Sequence, residues 1–519
     1  MSRQWDAIVV GAGVGGLSAA ARLVKAGLRV LVLEKVLHPG GTAYVYTRKG
    51  FTFPMGPLGF STPKLVRESL AALGQDDALR FRRVRYQIRA FDIKLPLSLP
   101  FSRIKKEMIA RFPADLEGIN QFFRDLEAIL DAMRQPNRAN NRGLLEAAAR
   151  TSARSYLREL IADWRLRRFL GSLGTQEAYA GLPLLAATWN LMCKEGIWYP
   201  QGGLRAFCIR LAQAATRGRG NLGGFGEMRL GAEVKEIRVR HGRALGVTLA
   251  EGSHIDAAGV ISNADYKTTF MRLLRSESIP ERWCLAVSRA KQTGSIFQVC
   301  LGVDAKRVDL SAFSEASRLI FRQDVSGSGQ NPLGLDWSAA EVDPEALAGQ
   351  ELEVSLWSRE DPSLAPKGGA VLVIRVEADH GHFAKYQPAP GQRAPIYCGY
   401  KTRLGEALVG KTASLIPGLE QAVLVMDVAT PLTFEERGGR SQGAVAGWSW
   451  DFEDNSDYHP LELVRTPIFG LYMAGYQAYS ALFLGGMPTA MASGQRAAEA
   501  LLQGAGPIED IRIPGVTAS

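Results

Sequence analysis

The stretch Asp6-Ala7-Ile8-Val9-Val10-Gly11-Ala12-Gly13-Val14-Gly15-Gly16, an Ala-rich segment, and then Val30-Leu31-Val32-Leu33-Glu34 decide the fold. A short apolar run is cut by Gly11, Gly13 and Gly16. A helical pattern follows (Leu17, Ala20, Ala21, Leu23, Val24) and stops at Gly27. A second apolar run ends in an acid 18 residues beyond Gly16. The spacing predicts strand, turn, helix and strand, and each glycine has a steric task in it. Gly11 makes the tight turn, Gly13 lets the backbone approach a pyrophosphate, and Gly16 lets the helix pack close to the sheet. Free N–H groups at the helix start bind a diphosphate, and Glu34 is placed to accept from a ribose hydroxyl pair. A dinucleotide site is therefore expected here. A purely structural glycine turn would not need the acid.

At 519 residues the chain is too long for one core, so two or three domains are expected. Its composition, 46% hydrophobic and 22% charged, is that of a globular protein. No low-complexity tract and no repeat of 20–50 residues stands out. The five cysteines (Cys193, Cys208, Cys284, Cys300, Cys398) are scattered without a CxxC, which points to a reducing compartment. His380-Gly381-His382 is the one close histidine pair and is read as a loop end, so no metal site is expected.

The N-terminal apolar run lacks a basic leader and is taken up by the glycine motif, so it is not read as a signal peptide. Thr466 to Gln495 runs for thirty residues without a charge, but seven are glycine or proline. A buried segment facing a ligand explains that better than a bilayer span. The net charge of +10 is mostly an arginine excess. In 80–89, Val84, Tyr86 and Ile88 alternate with Arg85, Gln87 and Arg89 as in a half-buried strand. A helix near 152–170 puts Tyr156, Leu157, Leu160, Ile161 and Trp164 on one face and Arg154, Arg158, Arg165 and Arg168 elsewhere. Such a helix either lies on an anionic membrane or presents a solvated face over a core stripe. No nucleic-acid motif accompanies the charge, so nucleic acid is not an expected partner.

Further along, Phe51–Pro57 reads as a strand running into a Gly-Pro turn, and 62–74 as a helix. Two strands are expected between 80 and 105, and helices over 113–135 and 143–171. The uncharged run Ala178–Cys193 is either the lining of an apolar pocket or core. Tyr199-Pro200-Gln201-Gly202-Gly203 opens a helix over 204–217. Strands are expected at 231–237, 247–249 and 260–262, then at 295–303, 318–321, 351–358 and 370–376 as an antiparallel sheet. A helix near 398–415 and a strand at 422–428 follow. Gly218-Arg219-Gly220-Asn221-Leu222-Gly223 also fits GxGxxG, but it follows a helix and precedes a strand, the wrong order for a nucleotide turn.

Together these pieces resemble the phytoene desaturase-like family of flavoproteins, which includes carotenoid desaturases, carotenoid isomerases and retinol saturases. The likeness covers nearly the whole chain. It rests on Gly11–Gly16 with Glu34, on Gly40-Gly41-Thr42, on Met55-Gly56-Pro57, on Tyr199–Gly203, on Ser262-Asn263-Ala264-Asp265, on Asp361–Pro366, and on Gly470–Gly475 through Gly494. The resemblance implies FAD as cofactor. It implies contacts to FAD from Gly11, Ala12, Gly13, Val14, Gly15, Gly16, Glu34, Lys35, Gly41, Thr42, Met55, Gly56, Pro57, Val234 (beside the adenine), Gly475, Gly486, Met487 and Pro488. By its own pattern, 471–474 is a buried strand, Gly475 permits close approach, and Pro488 starts a helix whose positive end can face the flavin pyrimidine. Two departures from the family stand out: Pro54-Met55 replaces an acid before the Gly-Pro turn, and Tyr476–Leu484 replaces a His-Pro-Gly-rich stretch.

The expected fold is α/β: a Rossmann-like FAD-binding domain with a discontinuous α+β substrate domain of mixed or antiparallel sheet plus helices. The FAD-binding domain is drawn from 1–75, 195–290 and 455–510. Residues 76–194 form a helical, membrane-facing region, and 291–454 form a sheet-based substrate domain. The resemblance implies an FAD-dependent oxidoreductase that desaturates, or saturates, C–C bonds of an apolar isoprenoid. Isomerisation of a carotenoid or retinoid, a flavin amine oxidase, and a non-catalytic flavin-stabilised interaction protein are the alternatives. A cytoplasmic protein with peripheral contact at the inner membrane face is expected. No Ser-His-Asp order or Cys-His pair appears. Tyr476, Tyr479 and Glu435 are the acid–base candidates, without one being singled out. The oligomeric state leaves no trace in the sequence.

Overall fold

A computed structural model describes residues 5–75, 79–91, 93–173, 178–217, 223–322, 335–454, 461–480, 486–509, 511 and 513. The glycine decoy at 218–223 and the stretch 481–485 fall wholly or mostly outside these residues.

Strand β1 (Trp5–Val10), helix α1 (Val14–Lys25) and strand β2 (Arg29–Glu34) form as the hydrophobic pattern predicts. β1 pairs in parallel with β2 through Ala7–Val30 and with strand His254–Ser262 through Ala7–Gly259. It lies inside a seven-stranded sheet ordered Val234–Arg240, Arg243–Leu249, His254–Ser262, β1, β2, Phe225–Leu230, with Leu471–Met473 paired to the end of His254–Ser262. Both faces of β1 are covered, which is why it reads as a continuous apolar run rather than an alternating one. α1 is enclosed by helices Gly203–Arg217 and Met487–Leu502, so ten of its twelve residues are buried.

A second seven-stranded sheet runs Val423–Ala429, Ser295–Asp304, Gly369–Ala378, Leu352–Leu356, Arg318–Phe321, Tyr86–Ala90, Ile93–Pro96. Its neighbours are antiparallel except Arg318–Phe321 beside Tyr86–Ala90. One face packs Phe297, Val299, Leu301, Leu372 and Ile374 in one core with Leu404 and Leu408 of helix Tyr397–Ala413. The other face is polar and carries Gln298, Arg375, Glu353, Arg318 and Tyr86. Arg375 Nε donates to Gln298 Oε1 at 2.8 Å, the Tyr86 hydroxyl to Glu353 Oε1 at 3.3 Å, and fully buried Arg318 pairs with Glu360 at 3.4 Å.

Helices Phe101–Arg111, Leu116–Arg134, Ala139–Ala149, Ala153–Leu160, Trp164–Ser172 and Leu182–Asn190 pack around Trp189. The Trp189 ring meets Phe101, Phe122, Phe123 and Phe169, and its Nε1 donates to the Leu170 carbonyl at 2.9 Å.

Three expectations are corrected, and one open alternative is decided. The single basic helix near 152–170 is two short helices: Asp163 caps the second through the Arg165 N–H, so no continuous basic face forms. Arg168 is buried, and Arg154 donates to the Ala178 carbonyl. The Ala178–Cys193 run is core, with Leu182, Leu185, Ala186, Trp189 and Cys193 all in the helical cluster. Three strands and the start of a helix, rather than two strands, occupy 81–105, and Gln87 is buried because the strand is covered on both sides. His380–Ala384 is a short helix capped by Asp379, not a loop end.

Candidate functional site

The glycine turn is built by contacts rather than by sequence motif alone. Gly11 has φ +93°, and its N–H donates to the Leu33 carbonyl at 2.8 Å. A β-carbon on Gly16 would collide with the Gly11 carbonyl, so the helix starts against the turn itself. A β-carbon on Gly13 would stand 2.6 Å from Asn263 Nδ2, and one on Gly15 would stand 2.9 Å from both the Ala490 carbonyl and the Gly475 N. The Asn263 side chain therefore lies under the turn, at the end of strand His254–Ser262. Gly13 caps α1 without any side-chain acceptor, leaving the first N–H groups of the helix for a ligand. Gly475 is held at φ +108°, and its N–H donates to Ser493 Oγ at 2.8 Å.

Glu34 is 7% exposed. Its Oε2 accepts from the Ala12 N–H at 2.7 Å and its Oε1 from the Val36 N–H at 3.0 Å. The acid thus braces the turn, and each oxygen keeps a lone pair for a further donor.

A cavity of about 1000 Å³ runs from this turn toward the second sheet. Of the residues singled out from the sequence, Gly11, Gly13, Val14, Gly15, Glu34, Lys35, Gly41, Thr42, Gly56, Pro57, Val234, Gly475, Gly486 and Met487 line it. Ala12, Gly16, Met55 and Pro488 stand behind that wall. The Ala12 N–H goes to Glu34, Gly16 packs on Gly11, the Met55 N–H donates to the Tyr44 carbonyl at 3.2 Å, and Pro488 sits in the first turn of Met487–Leu502. Tyr476 and Glu435 line the cavity, whereas Tyr479 does not. The Tyr479 ring lies under Arg496 at 4.2 Å. The Tyr476 hydroxyl is buried without a partner, and burial pushes its pKa up. Glu435 meets His380 Nε2 at 2.7 Å, and that hydrogen bond holds its carboxyl below the usual range.

Sequence reasoning missed the far wall. Arg440 donates through Nη1 to the Ala444 and Val445 carbonyls at 3.2 and 2.9 Å and through Nη2 to Thr42 Oγ1 at 2.6 Å. Its guanidinium carbon sits 4.9 Å from the Tyr476 ring centroid. Arg375 donates to the Gly56 carbonyl as well as to Gln298. Asp265 accepts from Ser441, Thr268 and Gln292 and so ties the two walls. Only Asn263 and Asp265 lay in a stretch that the sequence marked. Arg375 and Arg440 are brought in from strands and loops more than 300 residues away from the turns they touch.

Among the described residues, no group of three or more His, Cys, Asp or Glu is arranged to hold a metal ion, and no helix is long and apolar enough to cross a membrane.

Parallel sheet, bare helix start and braced acid define a dinucleotide-binding flavoprotein, and the residues present fit FAD: the cradle at Gly13 and Gly15 has no room for side chains, and Glu34 keeps acceptor capacity. Residues 14–364, well over half of the chain, match the model of the flavin-containing amine oxidoreductase family, and the chain belongs to that family. It is 27% identical to a chloroplastic prolycopene isomerase of Daucus carota, over 85% of this chain and 72% of that protein. It is 26% identical to a lycopene-forming phytoene desaturase of Pseudescherichia vulneris, over 83% and 86%. Among solved structures, an oxidoreductase from Methanosarcina mazei aligns with a TM-score of 0.60 at 17% identity over 95% of this chain and 99% of that one. Cyclohexylamine oxidase from Brevibacterium oxydans aligns with 0.59 at 15% over 96% and 99%. The protein is an FAD-dependent oxidoreductase of the phytoene desaturase-like kind.

Proposed function

We propose that the protein removes hydrogen across a C–C bond of an apolar isoprenoid or carotenoid-like substrate. The observation that carries this reading is the cavity that joins the glycine turn to the second sheet, taken with relatives named as phytoene desaturases and prolycopene isomerases. FAD supplies a ring that accepts a hydride, so an unactivated C–H bond can react without a covalent protein nucleophile. The chain binds, orients and excludes water.

In this reading the α1 start with Gly11, Ala12, Gly13, Val14, Gly15 and Gly16 holds the diphosphate, Glu34 and Lys35 meet the ribose, and Val234 meets the adenine. Gly41, Thr42, Met55, Gly56 and Pro57 flank the ring, with Gly475, Gly486, Met487 and Pro488 at its pyrimidine side. The unit that binds FAD is drawn from 1–75, 195–290 and 455–510. Residues 291–454, together with the helical 76–194, handle the substrate. Isomerisation without net redox is a second reading, favoured by the similarity to prolycopene isomerases.

Anaerobic mixing of the yellow protein with carotenoid precursors, retinoids and amines tests the reading. Bleaching of the flavin band by an isoprenoid supports desaturation, and bleaching by amines alone replaces it with amine oxidation. Polyene isomerisation without bleaching selects the second reading.

Exposed Arg103, Lys106 and Arg111 on helix Phe101–Arg111 support a peripheral contact with an anionic membrane at the cytoplasmic side. Salt-sensitive binding to anionic but not neutral vesicles is the expected result.

A further inference from the structure

The cavity wall can be followed contact by contact. The Ala232 N–H donates to the Glu34 carbonyl at 2.8 Å, and the Glu34 carboxylate takes the Ala12 N–H. Gly41 packs on Gly13, the Thr42 hydroxyl accepts from Arg440, and Gly56 packs on Thr42. The Gly56 carbonyl accepts from Arg375. The wall therefore begins with Val234 and Glu34, passes the α1 start, and finishes between two guanidinium groups. If the first part holds adenine, ribose and diphosphate, the arginines stand at the ring.

Arg440 is fixed by three neutral acceptors and one aromatic face, and none of these cancels its charge. Arg375 bonds to two neutral oxygens and has the Glu353 carboxylate as its cross-strand neighbour, so its charge is partly balanced and Arg440 is the principal uncompensated cation. On this wall the Asp265 carboxylate is taken up by hydrogen bonds from Ser441, Thr268 and Gln292 rather than by Arg440. Holding half-buried cations against a cavity wall costs free energy, and that cost is offset when an anion forms beside them.

We propose that Arg440, assisted by Arg375, sets the direction of hydrogen transfer by holding positive charge beside the flavin ring, which makes the protein a dehydrogenating rather than a saturating enzyme. This rests on the FAD-dependent reading above. In the half-reaction one substrate C–H hydrogen departs with both bonding electrons to the oxidised flavin, and the neighbouring carbon loses a proton to solvent. The electron pair left by that proton becomes the second bond of C=C. The flavin, which is the oxidant, ends with one more negative charge. A fixed cation in a water-poor site stabilises that charge and favours the reduced cofactor.

The test is the midpoint potential of bound FAD in the purified holoenzyme, read by its absorbance against reference dyes without substrate. Arg440→Gln is expected to lower the reduced-to-oxidised ratio at a given potential by 10- to 100-fold, a shift of about 30–60 mV toward negative values for a two-electron couple. Arg440→Lys should restore most of the shift, which a merely structural role would not do. The same Gln variant should bind sulfite, which adds to oxidised flavin and leaves it anionic, at least about tenfold more weakly. Arg142→Gln, on an exposed helix, should match the wild type. If Arg440→Gln does not retain FAD, Arg375→Gln carries the same expectations. Wild-type potential and sulfite affinity in the flavin-bearing variants overturn the proposal. Wild-type protein that carries no flavin overturns the FAD-dependent reading, and this proposal with it.

Discussion

The α-carbon of Gly494 rests on the carbonyl of Gly15, and no side chain fits between them. The first turn of α1 and the middle of helix Met487–Leu502 are thereby held at backbone contact. The N–H groups that face the cavity owe their position to a residue near the far end of the chain.

Gly494→Ala is expected to force the two helices apart. Overpacking of this kind costs about 1–3 kcal/mol. A lower denaturation midpoint together with reduced flavin absorbance checks it, and a variant with unchanged stability and full flavin content would contradict the contact.

Glu34→Ala removes the acceptor of the Ala12 and Val36 N–H groups. Leaving buried donors unpaired costs about 1–3 kcal/mol, and the turn that faces the diphosphate loses its brace. Flavin affinity should fall by at least about tenfold, or about 1.4 kcal/mol, in fluorescence titration of the apoprotein. Glu34→Gln should fall between the two, because one acceptor oxygen remains.

Asn263 supplies a neutral amide beneath Gly13 and Gly15. Asn263→Asp keeps its shape and sets a negative charge beside the diphosphate position. Flavin binding should weaken by about tenfold or more, and added salt should recover part of the loss, because screening acts on the charge and not on the shape. Asn263→Asp with wild-type affinity at low salt would place the diphosphate elsewhere.

Glu435 has a carboxyl held below its ordinary range, chiefly by the hydrogen bond from His380. A depressed carboxyl stabilises the folded state above the ordinary value near 4.5, and that contribution disappears as the pH falls through the lower folded value. Thermal midpoints of wild type and His380→Gln should therefore differ above pH 4.5 and converge as the pH falls below that value. Parallel curves would show that the pair contributes nothing.

The βαβ unit was legible because its signals are local: three glycines, one apolar period and one acid within thirty residues. The later strands of the second sheet were legible for the same reason, to within one or two residues at the ends of Ser295–Asp304 and Gly369–Ala378. The pairing that makes it mixed, Arg318–Phe321 beside Tyr86–Ala90, joins segments more than 200 residues apart and leaves no mark in either. The polar face of that sheet was missed because Gln298, Arg375 and Glu353 sit singly among apolar neighbours in sequence and converge only across strands. The Ala178–Cys193 run shows the converse ambiguity: an uncharged stretch looks the same whether it faces a cavity or Phe122 and Phe123. At the site, the glycines and Glu34 could be read, and Arg440 could not, since only folding brings it to Thr42.

The cofactor cradle draws Gly13 and Gly15 from one segment and Gly475, Met487 and Ala490 from another more than 450 residues later in the chain. During synthesis β1 and α1 emerge early but cannot complete their sheet until Leu471–Met473 pairs with Ile261 and Ser262 and helix Met487–Leu502 covers α1. Closing so long a loop is slow, and apolar surface stays uncovered in the interval. The cradle for the flavin is therefore complete only once these long-range pairings have formed. A ligand that binds only the closed cradle stabilises it, so added flavin is expected to raise the fraction of newly made chain recovered in native form.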